Sequence, residues 1–273
     1  MKYSFAKHAG PIAALALGAA LSGCSYSVDW GEVEGVALEE LDLSGEAPDT
    51  ITLAGPDRVI ITEGDELAIT LEGDSEAGEA LRFDRDGERL TIARDRKIFD
   101  GSGEAIVQIT MPAPENLEIA GSGAIESASV ASNAELEIAG SGSINVTAVE
   151  AERLEIDIAG SGDVRAAGSA ETLDVDIAGA GNVRLADLSA QTVSVSIAGS
   201  GNVEVASDGS VDVSIAGSGN VQVTGNATCN VETAGSGTVN CRPTDTADAA
   251  EPAAIEDASD EASEDAAEEA AAE

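Results

Sequence analysis

Large aromatic side chains are nearly missing from this chain: Trp, Tyr and Phe together make up 2% of its 273 residues. That excludes a core built on packed rings, so any interior must be narrow and filled with aliphatic side chains. Histidine occurs once, as His8, inside a stretch read below as a leader. Without it the body of the chain has no imidazole, which excludes histidine triads, histidine general bases and the usual His-ligated zinc or iron sites. Positive charge is scarce, with 13 Lys and Arg against 52 Asp and Glu and a formal net charge of -39. Such an excess disfavours nucleic acid and bare anionic membranes as partners and favours multivalent cations and basic surfaces. Long apolar runs are missing too, and the run Ile12–Ala20 is too short to span a bilayer as a stable helix.

What that short run does suit is an address. Lys2 and Lys7 form a positive n-region ahead of it. The run ends in Leu21-Ser22-Gly23-Cys24, which resembles the lipobox of bacterial lipoproteins. The resemblance implies cleavage before Cys24 and lipidation of its thiol, so that Cys24 becomes the mature N-terminus and the membrane anchor. Ser25, rather than Asp, follows it, which by the same resemblance implies the outer membrane, on its periplasmic face or at the surface. The chain then divides into a signal peptide (1–23), a tether (24–36), an N-terminal β region continuous with a solenoid (37–116), a repeat region (117–243) and an acidic tail (244–273).

Residues 37–115 alternate with period two in Val59-Ile60-Ile61-Thr62, Leu67-Ala68-Ile69-Thr70-Leu71 and Leu90-Thr91-Ile92. Glu63-Gly64-Asp65 and Asp86-Gly87-Glu88 punctuate them, so strands joined by tight turns are expected. Arg58, Arg82, Arg85, Arg89, Arg94, Arg96 and Lys97 gather here. A solvated face and a ligand-binding patch are both open readings of that cluster.

From residue 117 one phrase recurs seven times, headed by Ile119, Ile138, Ile158, Ile177, Ile197, Ile215 and Thr233, at spacings of 19, 20, 19, 20, 18 and 18 residues. A period near 19 with turn-forming glycine at a fixed phase predicts an all-β solenoid of stacked coils. The glycines fall in pairs: Gly121 and Gly123, Gly140 and Gly142, Gly160 and Gly162, Gly179 and Gly181, Gly199 and Gly201, Gly217 and Gly219, and Gly235 and Gly237. They read as structural corners, both members permitting positive φ. A phosphate-cradling loop would feed a helix N-terminus, whereas these feed strands. Around each corner the apolar residues alternate in columns, such as Leu117, Leu136, Ile156, Val175, Val195, Val213 and Val231 before it and Ile125, Ile144, Val164, Val183, Val203, Val221 and Val239 after it. Two short strands per coil with these columns inward are expected, and no aromatic residue occurs after Ile119 to overfill so narrow a lumen.

Four features taken together resemble a known family. They are the strand Ile106–Met111 ending at Pro112, the turn from Val59 to Asp65, the Asp86–Ile92 stretch, and the tandem Ala-Gly-Ser-Gly-Asn-Val phrases. In their order they resemble the head GIN domain, the putative auto-transporter adhesin family of bacterial envelope proteins, over roughly residues 37–243. The resemblance implies a right-handed β-helix-like solenoid at the cell envelope and no cofactor, and it supplies no catalytic residues.

Outward positions carry the remaining chemistry. Glu118, Glu137, Asp157 and Asp176 share one column, with Glu135, Glu155 and Asp174 two residues earlier. At about 4.8 Å between coils such neighbours repel, and two outcomes are open: solvated side chains, or a weak ladder for divalent cations with no firm metal site. Asn182, Asn202 and Asn220 follow the corner in three consecutive coils and predict an amide ladder. Arg165 and Arg184 stack on the other strand of the coil from the carboxylates, where they can offset part of that field. Cys229 and Cys241 occupy inward columns of the last coil, where a disulfide or two free thiols can stand. The segment 244–273 holds twelve acids and no Lys or Arg, the composition of a disordered tail. The leading expectation is a non-enzymatic, lipid-anchored envelope solenoid serving adhesion, surface interaction or envelope structure, with glycans or envelope proteins as partners. The alternatives are a carbohydrate-active enzyme using Asp157 and Asp176 as its carboxylate pair, and a cation-binding surface protein.

Overall fold

The computed structural model describes residues 35–98, 101 and 103–242. Cys24, His8, the leader and the tail therefore lie outside the described residues. One 16-stranded sheet wraps through the molecule. The repeat begins with β7 (Asn116–Gly121) and β8 (Ala124–Ser129). It continues through β9 (Asn133–Gly140), β10 (Ser143–Gly160), β11 (Asp163–Gly179), β12 (Asn182–Gly199) and β13 (Asn202–Gly217). It ends in β14 (Asn220–Thr224), β15 (Thr228–Gly235) and β16 (Thr238–Arg242). Every pairing among these strands is parallel and joins positions one coil apart, as in Ile138↔Ile158↔Ile177↔Ile197.

The expected columns are the core. Ile119, Ile138, Ile158, Ile177, Ile197 and Ile215 are buried, as are Leu136, Ile156, Val175, Val195 and Val213. The expectation of two short strands per coil is corrected: β10, β11 and β12 each run from one glycine corner to the next, bending at bulges such as Val146/Val149 and Arg165/Gly168. Ala151, Ala170 and Ala190 are register partners just after these bends and are buried. A methyl group is all that the inside of so gentle a turn accommodates.

The glycine corner is sharp for two different reasons. The first glycine of each phrase has φ between 133° and 141°. A Cβ on Gly160 would stand 2.2 Å from the Gly140 carbonyl oxygen of the coil before. The second glycine is absent from the positive-φ positions, which corrects the expectation that both need a left-handed backbone. It is required by space alone, because a Cβ on Gly162 would meet Ile138 Cγ2 at 2.7 Å. Hydrogen bonds run straight through the corner, as in Ser161 N–H to Gly140 O at 2.8 Å and Asp163 N–H to Gly142 O at 3.0 Å.

Two further coils precede the repeat, and the chain does not take them in order. β1 (Thr50–Gly55) and β2 (Arg58–Glu63) pair in parallel with β7 and β8, setting Leu53 beside Ile119 and Gly55 beside Gly121. The chain next makes β3 (Ala68–Gly73), α1 (Ser75–Glu79), β4 (Leu81–Asp86), β5 (Arg89–Arg94) and β6 (Ala105–Met111). β5 and β6 stack in parallel on the other side of β1 and β2, forming the outermost coil. β4 and β3 then close that coil as antiparallel edge strands, on β5 and β6 respectively. The coil that comes second in sequence is thus first in space, and the chain returns past it to start β7. Phe83 on β4 is 1% exposed, so a ring is accommodated in the cap although none enters the repeat.

The corner of the β1–β2 coil reads Gly55-Pro56-Asp57, and Asp57 stands where Gly123 stands in the next coil. Its carboxylate is fully buried. Arg94 at the end of β5 donates Nε to Oδ2 at 2.9 Å and Nη2 to Oδ1, and the Ala105 N–H donates to Oδ1 at 2.9 Å. One carboxylate thereby joins both ends of the segment that crosses the corner of the outermost coil.

Two substitutions test these constraints. Gly160→Ala adds a left-handed strain and a backbone clash, and should lower unfolding stability by about 3 to 5 kcal/mol in denaturant titration; a loss below about 1 kcal/mol would contradict the corner geometry. Asp57→Ala removes the buried acceptor that Arg94 and the Ala105 N–H share and should cost about 3 to 5 kcal/mol. In a double-mutant cycle, Arg94→Ala should recover part of that loss, and strict additivity would show that the two groups act separately.

Candidate functional site

Among the described residues, the outward face of the strands that lead into the glycine corners carries the longest run of like charge in register. Glu118 pairs with Glu137, Glu137 with Asp157, and Asp157 with Asp176. Glu135, Glu155 and Asp174 form the neighbouring line. Beyond Asp176 the first line continues as Ser196 and Ser214, and the second as Ser194, Asp212 and Asn230. All seven carboxylates read from the sequence are therefore brought onto one face.

Two arginines bound this field. Arg89 donates Nη1 to Glu118 Oε2 and, at 2.8 Å, to Thr52 Oγ1, whose hydroxyl itself donates to Glu118 Oε2 at 2.8 Å. Arg153 lies 2.5 Å from Asp174 and 3.4 Å from Glu155. No hydrogen bond or ion pair reaches Glu137, Asp157 or Asp176 among the described residues. Burial pushes the Asp157 carboxyl up to about 7, with Glu155, Asp176, Glu135 and Glu137 adding to the shift. Glu135 and Glu137 are also raised, by burial first and neighbouring carboxylates second.

This geometry is two parallel lines of carboxylates along the stack, rather than a cage. Among the described residues no three His, Cys, Asp or Glu gather to hold a metal ion. Asp157 and Asp176 stand side by side on the same sheet face. Two shallow depressions are present. One of about 400 Å³ lies beside Glu150, Glu152, Ser169, Glu171 and Gln191 at the gentle bend. One of about 220 Å³ lies among Ser194, Ser196, Asp212, Ser214 and Glu232.

Five members of the basic cluster, Arg58, Arg82, Arg85, Arg89 and Arg94, are internal fastenings. Arg58 meets Glu126 at 2.5 Å and Glu104 at 3.4 Å, and Arg82 donates to the carbonyls of Leu81 and Glu79. Arg85 donates to the carbonyls of Asp42, Ser44 and Glu46. On the strand after the corner, Arg165 and Arg184 are register partners, and Arg184 reaches Asp163 at 3.0 Å. The amide ladder is present: Asn202 donates to Asn182 Oδ1 at 2.9 Å, and Asn220 to Asn202 Oδ1 at 3.0 Å. Cys229 and Cys241 are bonded across the last coil, joining β15 to β16 with their Cα atoms 6.6 Å apart.

Sequence reading missed the Asp57–Arg94 pair. The available signal was Leu53-Ala54-Gly55, an eighth copy of the phrase whose next residues depart from Ser-Gly.

The model of the family described as "putative auto-transporter adhesin, head GIN domain" matches residues 47–227. Among solved structures, a putative adhesin from Bacteroides fragilis superposes with a TM-score of 0.66 at 19% identity, covering 74% of this chain and 94% of that one. A putative adhesin from Parabacteroides distasonis gives 0.56 at 20%, covering 73% and 94%. A putative lipid binding protein from the same organism gives 0.55 at 20%, covering 72% and 93%. These likenesses show the fold. No curated protein matches the chain significantly.

The acidic line predicts an unusual pH dependence. Because the folded Asp157 holds its proton to about pH 7 against an ordinary value of 3.8, the folded state binds more protons than the unfolded one between those limits. Stability should therefore fall as pH rises from about 4 to about 7 and level off above. Asp157→Asn should flatten that slope and raise the melting temperature near pH 8 by about 2 to 4 °C, the shift that about 1 kcal/mol gives a chain of this size. An unchanged slope in the variant would show that the line is not strained.

Proposed function

The chain belongs to the putative auto-transporter adhesin, head GIN domain family, and from that premise we propose that it works without catalysis, as a lipid-anchored outer-membrane solenoid. Its outward ladders would be the contact surface, serving adhesion, surface interaction or envelope structure. The observation that carries this reading is the unbroken, in-register face from Glu118 to Glu232, with no cleft between carboxylates. A glycosidase pair must flank the scissile bond, whereas Asp157 and Asp176 project from adjacent strands to the same side. A rigid ladder of exposed side chains is suited to repeated contacts with an extended or repetitive ligand, where many weak contacts sum to avidity.

The same reading implies an orientation. Cys24 lies eleven residues before Gly35, the first described residue of the N-terminal block (35 − 24 = 11). A lipid on Cys24 would hold the end closed by β3 and β4 toward the membrane. Nine coils at about 4.8 Å each would carry the last coil roughly 40 Å outward.

Two measurements test this. Mass spectrometry of the mature chain should find an acylated Cys24 at its N-terminus, and Cys24→Ala should move the protein from the membrane to the soluble fraction; an unmodified, uncleaved N-terminus removes the anchor from the proposal. Purified chain should adhere to immobilised envelope glycans without releasing reducing ends from acidic polysaccharides. Turnover that disappears in Asp157→Asn would replace the adhesin reading with an enzyme.

A further inference from the structure

The two ends of the stack are finished differently. At the N-terminal end, Val36 forms an antiparallel bridge to Phe83 on β4, its N–H donating to Phe83 O at 2.9 Å and its carbonyl accepting from Phe83 N–H at 2.8 Å. Arg85 holds the carbonyls of Asp42, Ser44 and Glu46 beside the same strand, and α1 packs against β3 and β6. At the C-terminal end β15 pairs with β13 alone and β16 with β14 alone, among the described residues. Val231, whose column is buried in every earlier coil of the repeat, is 42% exposed there, and Thr233 is exposed. The disulfide ties β15 to β16 at this edge.

We infer that the β15–β16 coil is an interface for a second copy of this chain, packed end to end about a two-fold axis, and that the charge of residues 243–273 controls its formation. What the edge lacks is one more coil, with side chains in the same columns. Among the described residues, the only exposed coil of that cross-section is the same coil on another molecule. Antiparallel pairing of two β15 strands about Val231 places the two Val231 side chains together and sets Glu232 opposite Asn230 of the second copy rather than opposite its Glu232. Of the outward positions Thr228, Asn230, Glu232, Thr238 and Asn240 only Glu232 is charged, so this coil meets little of the repulsion that the acidic line would impose on a contact elsewhere. A two-fold contact uses each open edge once and closes, whereas head-to-tail stacking would need the β4 edge that Val36 and residues 42–46 already occupy.

The chain leaves β16 at Arg242 and continues into the segment whose last thirty residues hold twelve acids and no Lys or Arg. Joining two copies at this end brings two such segments to one junction. Their repulsion opposes association at low salt and is screened at high salt.

Sedimentation velocity of the full chain in detergent tests the inference. At about 0.1 M salt, where the screening length is about 10 Å, a monomer is expected, and at about 1 M, where it is about 3 Å, a dimer. A variant lacking residues 244–273 should be dimeric at both, and Val231→Lys, on an exposed side chain, should be monomeric at both while keeping its melting temperature and its disulfide. Monomers of the shortened chain at every salt would overturn the proposal. So would a dimer that survives Val231→Lys, since it would use another surface, and so would a ladder of higher oligomers, since a two-fold contact closes at two.

Discussion

The close approach of backbone to backbone at the glycine corner is the constraint on which everything else depends. From Gly140 onward each first glycine sits with its Cα beneath the carbonyl of the glycine one coil before, at a distance that admits no Cβ. Since the corner is the same in all seven phrases, every coil is locked to its neighbour at one point, and the parallel ladders propagate that register along both strands. The Ile and Val columns, the Asn182–Asn202–Asn220 ladder and the acidic line are separate consequences of it. They differ only in what the sequence places at a position already fixed in space. Stacking is favourable for isoleucine and for amides, which bury or bond to their copies. For carboxylates it is unfavourable, and the pKa values of Glu135, Glu137 and Asp157, raised by burial first and by neighbouring carboxylates second, record that cost.

A repeat of this kind has no intrinsic way to stop, so its ends need residues of a different kind. The N-terminal end uses non-repetitive chain: an antiparallel hairpin, the buried Asp57–Arg94 pair and a backbone bridge from Val36. Burying a charge pair is costly unless both members are fully hydrogen-bonded. Here Asp57 accepts from Arg94 through both oxygens and from the Ala105 N–H as well. The pair thus specifies where the outermost coil sits, a position that apolar packing alone would leave free to slide along identical columns.

The repeat was legible because its information is local and periodic. Inward and outward columns, the glycine corners, the facing cysteines and the amide ladder all follow from a period near 19 and an alternation of two. The carboxylate face was legible for the same reason, although Arg89 reaches Glu118 from a coil whose place no period reveals. The back-threading of β5 and β6 outside β1 and β2 was not legible. Leu53 and Ile119 are register neighbours separated by an insertion that shares no period with the repeat. The number of strands per coil was misjudged because Ala151, Ala170 and Ala190 look like neutral surface residues, whereas small size at a bulged bend is what lets a strand turn without ending.

The change in outward chemistry along the axis follows from the difference between the ends. Near the closed end the face carries carboxylates held by Arg89 and Arg153, and toward the open end the same positions carry Ser194, Ser196, Asp212, Ser214, Asn230 and Glu232, where no carboxylate has another as its register neighbour. Like charges in register cost free energy at every coil, and coils near the cap are sustained by neighbours on both sides. The terminal coil has a neighbour on one side only, so it contributes less packing to offset such a cost. A face on which single carboxylates alternate with uncharged residues is therefore the arrangement a one-sided coil can tolerate, and it is reinforced by a covalent link where the stacking contacts run out.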